Sequence, residues 1–352
     1  MADNVYKRLR EFLDRLPAGF PETPDGVEIK LLKKMFTPEQ AELVMNLTST
    51  PETVAEIASR TGMDERRLAE QLEQMCKDGL IFRVREGDTP KYQAFQFLIG
   101  LYEFQVNRLD REFCELFEAY MPHIGLSMAS LPKQLRVVPV ESSLAGYPEV
   151  APYNRIREMV DKEEVISVTD CICKKEQGIL GNPCSKPMEV CIMFGDWARF
   201  YVENGNARQI DGAEADKILD LAEENGLVLQ IGNSQDMLAI CCCCACCCPG
   251  LKNIKLFPNP GELVMSYYRS VIDGELCTGC GECIEICPMD AIEDKDGISL
   301  VSDPRCIGCG LCVNRCPVEA IALVERGDKT DAPPRTFQDL TDSIAAQRGV
   351  QP

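Results

Sequence analysis

Cys277-Thr278-Gly279-Cys280-Gly281-Glu282-Cys283-Ile284-Glu285-Ile286-Cys287-Pro288 and Cys306-Ile307-Gly308-Cys309-Gly310-Leu311-Cys312-Val313-Asn314-Arg315-Cys316-Pro317 are the same pattern written twice. In each, cysteines follow one another after two, two and three residues, and a proline closes the run. The echo continues past the cysteines, where Pro288-Met289-Asp290-Ala291-Ile292 answers Pro317-Val318-Glu319-Ala320-Ile321. Thiolates this closely spaced are metal ligands, and short spacers, Gly279 and Gly281 among them, let the backbone approach whatever the sulfurs hold. A pair of zinc knuckles is a poor match, since zinc sites do not ask for CxxCxxCxxxCP.

The doubled run resembles that of the bacterial-type two-cluster ferredoxins. The resemblance implies two [4Fe–4S] clusters, because in that pattern the cysteine before each proline leaves its own loop and ligates the other cluster. One cluster then takes Cys277, Cys280, Cys283 and Cys316, and the other Cys306, Cys309, Cys312 and Cys287. Clusters tied together in this way imply one-electron transfer. Between residues 270 and 330 there are twelve Asp or Glu and five Lys or Arg. Negative charge near a cluster disfavours an added electron, so a low potential is expected.

Two further cysteine groups lie upstream. The first is Cys171, Cys173, Cys184 and Cys191; the second is the run 241–248, in which Ala245 alone interrupts seven cysteines. Packing does not explain seven thiols in eight positions, because free thiols set against one another oxidise. A metal centre does, with candidate ligands Cys171, Cys173, Cys184, Cys191, Cys241, Cys243, Cys244, Cys246, Cys247 and Cys248. The simplest division gives Cys171, Cys173, Cys184 and Cys191 a third [4Fe–4S] centre and part of 241–248 a fourth. One centre drawing on both groups, a zinc site at 171–191 and a non-cubane cluster all stay open. One or two further iron–sulfur clusters are thus expected in the middle of the chain.

Outward from these motifs the chain reads as α+β. An amphipathic helix with Val5, Leu9, Phe12, Leu13 and Leu16 on one face is followed by a proline-rich loop, together spanning 1–36. Residues 37–130 begin with Thr37-Pro38-Glu39-Gln40, a capped helix start. A second helix follows Pro51 and a third opens at Asp64. A strand at 79–84, a Gly87-Asp88 turn and a strand at 92–95 come next, then helix over 98–130. The order resembles the winged-helix domains of MarR-type regulators. The third helix sets Arg66, Arg67 and Lys77 against Asp64, Glu65, Glu70, Glu73 and Asp78, which argues against DNA as its partner.

Residues 131–261 form a cysteine-rich cluster-binding domain punctuated by Pro132, Pro139, Pro148 and Pro152. It has strands at 135–140, 165–168 and 227–231 and a helix from Asp211 to Asn225. The ferredoxin module covers 262–327, and a mobile tail is expected over 328–352. Cys76, Cys114, His123 and Trp197 read as structural.

Composition narrows the setting. The chain has 352 residues, 21 of them cysteine and one histidine, with a net charge of -19. One histidine excludes bis-histidine haem, histidine-rich zinc centres and Rieske clusters. Neither a secretory signal nor a run of eighteen apolar residues is present, so a cytoplasmic protein without a membrane span is expected. Reduced cysteines there point to metal rather than disulfides. The acidic surface suits a basic patch on a protein partner rather than nucleic acid.

The arrangement as a whole resembles a family of 4Fe–4S binding proteins of anaerobes with an N-terminal winged helix. The shared stretches are Leu16-Pro17-Ala18-Gly19-Phe20-Pro21, Gly26-Val27-Glu28-Ile29-Lys30, the CxC segment ending in Cys191-Ile192-Met193-Phe194-Gly195, the cysteine run and the repeats. That family's run carries a non-cysteine at its second position, where Cys242 stands here. The expected function is a low-potential relay of single electrons between a donor and a redox protein or oxidoreductase complex. Two other readings stay open: a redox-sensing winged-helix regulator, and a catalytic iron–sulfur subunit acting at the 171–248 centre. The sequence sets no oligomeric state.

Overall fold

The computed structural model describes residues 2–128, 131–144, 150–327 and 331–350. Pro148, the last two residues of the helix expected over 98–130, and residues 328–330 and 351–352 of the expected tail lie outside them. Helix α1 (Ala2–Arg15) buries Val5, Leu9 and Leu13 as its periodicity requires. The segment after it is more than a loop, since α2 (Val27–Met35) forms there with Leu31 and Leu32 buried.

Helix α3 (Pro38–Val44) starts at a reciprocal cap in which the Thr37 hydroxyl accepts from the Gln40 amide and the Gln40 side chain accepts from Thr37 N–H. Thr53 and Glu56 repeat the device at α4 (Val54–Thr61), and Asp64 caps α5 (Glu65–Lys77). Strands β1 (Phe82–Glu86) and β2 (Thr89–Gln93) pair antiparallel around Gly87-Asp88. Their bounds fall later and earlier than the sequence suggests, because residues 79–81 and 94–95 lead into the neighbouring turns. After a π-turn at Phe97–Leu101 comes α6 (Arg111–Met128), which contains Pro122 and His123 within the helix rather than at a loop.

The centre of the molecule is a six-stranded sheet. In chain order its parts are β3 (Leu135–Val138), α7 (Ile156–Val160), β4 (Ile166–Asp170), α8 (Ile172–Ile179), β5 (Glu189–Phe194), α9 (Gly195–Glu203), β6 (Arg208–Ile210), α10 (Gly212–Glu224), β7 (Val228–Gly232) and β8 (Ala239–Cys243). Spatial order is β3-β7-β8-β5-β4-β6, every neighbour antiparallel. Strand β7 is buried along its whole length, with Gln230 its one polar side chain. Register sets Cys191 opposite Cys241, and a bulge at Thr169 and Asp170 bends β4 where the chain turns into α8.

Helices α11 (Pro249–Lys255) and α12 (Pro260–Leu263) lead to the C-terminal module. There β9 (Tyr268–Ile272) pairs with β12 (Ile321–Glu325), and β10 (Ile292–Lys295) with β11 (Ile298–Val301), around α13 (Glu282–Ile286).

The boundaries expected at 130/131 and 261/262 are not breaks in packing. One apolar cluster runs from Val5 to Leu311. Trp197 of α9 sits among Phe82, Phe95 and Phe104, joining the β1–β2 hairpin to the sheet. Cys76 and Cys114 are fully buried.

The tail corrects an expectation. Beyond the undescribed 328–330 it forms α14 (Phe337–Arg348), capped by Thr336, with Phe337, Leu340 and Ile344 packed against Ile99, Leu131 and Leu238. The Arg348 guanidinium donates to Leu16 O and to Asp14 Oδ1. A low apolar fraction suggested mobility; the few apolar residues fall on one face and are enough to dock it.

Candidate metal centres

The C-terminal module holds two cavities. One is lined by Cys287, Cys306, Cys309 and Cys312. The other is lined by Cys277, Cys280, Cys283 and Cys316. Each thus receives three cysteines of one repeat and the last cysteine of the other. Apart from Ser270 and the thiols, the first is walled by Met289, Ile292, Val301, Leu311 and other apolar groups.

Backbone donors meet the sulfurs in matched pairs. Ala291 N–H donates to Cys287 Sγ and Ala320 N–H to Cys316 Sγ, both at 3.2 Å. Ser299 N–H donates to Cys277 Sγ at 3.5 Å and Ser270 N–H to Cys306 Sγ at 3.4 Å. The Cys277 thiol is held below the usual range by these amide bonds, those of Ser299 and Gly279. Cys312, where burial outweighs the Ser270 hydroxyl, is pushed up to about 12. Thiols that converge on a cavity, with backbone N–H donors beside several of the sulfurs, fit a polynuclear thiolate-bound centre.

Glycine makes the loops possible. Gly279 and Gly308 both have φ +67°, and a Cβ at either would overlap a carbonyl oxygen, that of Gly297 or of Tyr268.

Residues 269–317 match the 4Fe-4S dicluster domain family. Over 30 residues the chain is also 40% identical to Ferredoxin-2 of Desulfomicrobium norvegicum (strain DSM 1741 / NCIMB 8310). That stretch is 8% of this chain and 51% of the ferredoxin, about half its length. The likeness supports 4Fe–4S binding by the dicluster domain and, in general terms, electron transfer. No helix among the described residues is long and apolar enough to cross a membrane.

The eleven upstream cysteines separate into a six, a four and a one. The six are Cys171 and Cys173 at the β4–α8 junction, Cys191 on β5, Cys241 and Cys243 on β8, and Cys248 at the head of α11. Their side chains make a closed circuit in the order 171, 173, 248, 243, 241, 191 and back to 171. Cys171, Cys241 and Cys248 are held below the ordinary thiol range by the two thiols beside each, Cys241 to about 5. Cys173, Cys191 and Cys243, lying between them, are pushed above it by the same contacts. Six thiols gathered at the ends of the two central strands, β8 and β5, and the segments beside them are a costly arrangement, and metal in place of their protons relieves it. Gln230 Nε2 donates to Cys248 Sγ at 3.8 Å, and the buried Lys174 ammonium, whose Nζ donates to Pro187 O, favours the Cys171 thiolate.

The four are Cys184, Cys244, Cys246 and Cys247, whose sulfurs all lie within 4.8 Å of one another. The one is Cys242, fully buried, its thiol pushed well up by burial. Strand alternation accounts for it, since Cys242 faces away from Cys241 and Cys243. The simplest division of the cysteines is therefore not the one the fold makes: Cys184 is parted from Cys171, Cys173 and Cys191. The reason is local. Residues 241–243 are strand, but 244–247 form a turn that swings away from it, and residues 182–188, which lack regular structure, bring Cys184 to that turn.

Sequence reasoning missed Ser270, whose Oγ lies 3.2 Å from Cys312 Sγ, and the amide donors of Ser299 and Ala320. Spacing among cysteines carries no signal for them. The repeat echo at Ala291 and Ala320 did.

Proposed function

We propose that the chain is an iron–sulfur electron-transfer protein that relays single electrons at low potential between a donor and a redox protein or oxidoreductase complex. The observation that carries this reading is the exchange of Cys287 and Cys316 between the two repeats, which makes each cavity wall part of its neighbour's. Bound there, [4Fe–4S] clusters supply reversible one-electron chemistry.

The chain's own residues set the route. Cys306, Cys309 and Cys312 are buried, whereas Cys280 is exposed and Cys277 partly so. Val318, which lines this second cavity, is exposed, as is Leu276 next to Cys277, and Asp273, Glu275 and Glu282 lie beside these cysteines in sequence. An apolar spot in an acidic surround suits a partner with a basic rim. The six-thiol circuit adds a further centre on the inner side, where the same apolar cluster holds Cys191, Cys243, Cys306 and Cys309. Helices α3–α5 with the β1–β2 hairpin supply a winged-helix docking element, and a thiol content this high suits a reducing cytoplasm.

The test is potentiometric titration with electron paramagnetic resonance on protein purified without oxygen. The relay reading expects about eight iron and eight sulfide per chain from the dicluster domain, more from the six-thiol circuit, and one-electron reduction of each cluster at low potential. Clusters that cannot be reduced, or iron well below about eight per chain, would sink it.

A further inference from the structure

The four-cysteine group differs in scale from every other thiol group in the molecule. Cys184 Sγ lies 3.8 Å from Cys244 Sγ and 3.7 Å from Cys246 Sγ, and Cys246 Sγ lies 3.7 Å from Cys247 Sγ. Among the described residues no other group of three or more potential ligands is drawn together within 4.8 Å. These separations are far too long for a disulfide, whose sulfurs lie about 2.05 Å apart. They match a single ion: four sulfurs at about 2.3 Å from a tetrahedral centre stand about 3.8 Å from each other. A cubane places four irons and four sulfides between its cysteines and spreads them much further. The dicluster domain is the internal comparison, because its two sets of four cysteines each line a cavity and neither is drawn together within 4.8 Å.

We propose that Cys184, Cys244, Cys246 and Cys247 bind one zinc ion in a closed, structural site. Four protein sulfurs leave no open position for substrate or water, which is the signature of a structural rather than a catalytic zinc centre. Zinc also binds such donors more tightly than ferrous iron does. The ion has a clear mechanical task. It pins residues 182–188, which lack regular structure, to the turn at 244–247, closing a loop across a separation of 60 residues. That turn lies between Cys243 at the end of β8 and Cys248 at the head of α11, so it fixes two members of the six-thiol circuit relative to each other. Being redox-inert, zinc holds this geometry without taking part in electron flow. The assignment stands whether or not the relay reading holds.

The test uses the full chain purified without oxygen, as wild type and as Cys246→Ser, which changes the most exposed of the four ligands. Zinc, iron and sulfide are counted per chain, and the zinc K-edge is examined by X-ray absorption. The expected result is one zinc with four sulfur neighbours at about 2.3 Å in the wild type. Cys246→Ser should lose zinc, or show three sulfurs and one lighter neighbour, with sulfide unchanged. A wild type lacking stoichiometric zinc, a lone iron in its place, or a variant that loses about four irons with their sulfides would each overturn the proposal. Should the variant fail to fold, the wild-type absorption spectrum decides alone. Reduction of the clusters is read separately, so failure of the relay leaves this result intact.

Discussion

At the scale of single residues, the dicluster loops depend on two glycines in different ways from the rest. Gly308 has a left-handed backbone and faces the Tyr268 carbonyl; Gly281 is also left-handed, at φ +82°, but a Cβ there meets nothing. Alanine at either position carries the backbone penalty of about 1–2 kcal/mol. Gly308→Ala adds a collision with main chain, so it should lower cluster occupancy, read as iron per chain, while Gly281→Ala keeps it. Glu176 offers a second test. It is buried, Tyr102 donates to its Oε2 at 2.6 Å, and burial raises its carboxyl to about 7. A carboxyl raised on folding gives stability that is full below its unfolded value and lost as pH rises through the folded one. Between about pH 4.5 and 7, urea midpoints of the wild type should therefore fall more than those of Glu176→Gln, and the difference should level off above that. The need for Gly279 could be read in the sequence, because a two-residue spacer between ligands leaves little choice. The partnership of Tyr102 and Glu176, 74 positions apart, could not.

Elements explain why the cysteine run was only half legible. Alternation along β8 separates Cys242 from Cys241 and Cys243, and that follows from a period of two. From Cys244 onward the chain turns, and seven near-identical residues contain no periodicity by which to locate the bend. Helix starts were far easier: Thr37, Asp64 and Asp211 are caps that announce themselves chemically. The same logic was available at Thr336 and Asp339, where a capping box precedes Phe337, Leu340 and Ile344. The strand geometry makes a sharp contrast between neighbours. Cys242→Ala should leave iron content unchanged and cost about 1 kcal/mol of stability, whereas Cys243→Ala should remove iron bound upstream of the dicluster domain. Equal iron loss from both would contradict the facing of β8.

For the whole molecule, packing ignores the boundaries that composition suggests. A proline-punctuated loop or a polar tail looks separable in sequence, but long-range partners decide, as Trp197 does for the hairpin and Arg348 for the first loop. Removing residues 336–350 should lower the thermal midpoint clearly, since each of Phe337, Leu340 and Ile344 contributes at most about 1.5–3 kcal/mol by burial; an unchanged midpoint would mean that α14 is not docked in solution. The two repeats of the dicluster domain, so alike in sequence, also end in unlike surroundings. Cys306, Cys309 and Cys312 are sealed inside while Cys280 stands at the surface. In air this asymmetry becomes an order of decay. Oxygen reaches one centre through open solvent and the other only by way of breathing motions of the fold. Exposure should bleach the visible absorbance in two phases, the fast one releasing the iron nearest Cys280, so that a partly spoiled sample keeps its inner centre and has lost its outer one.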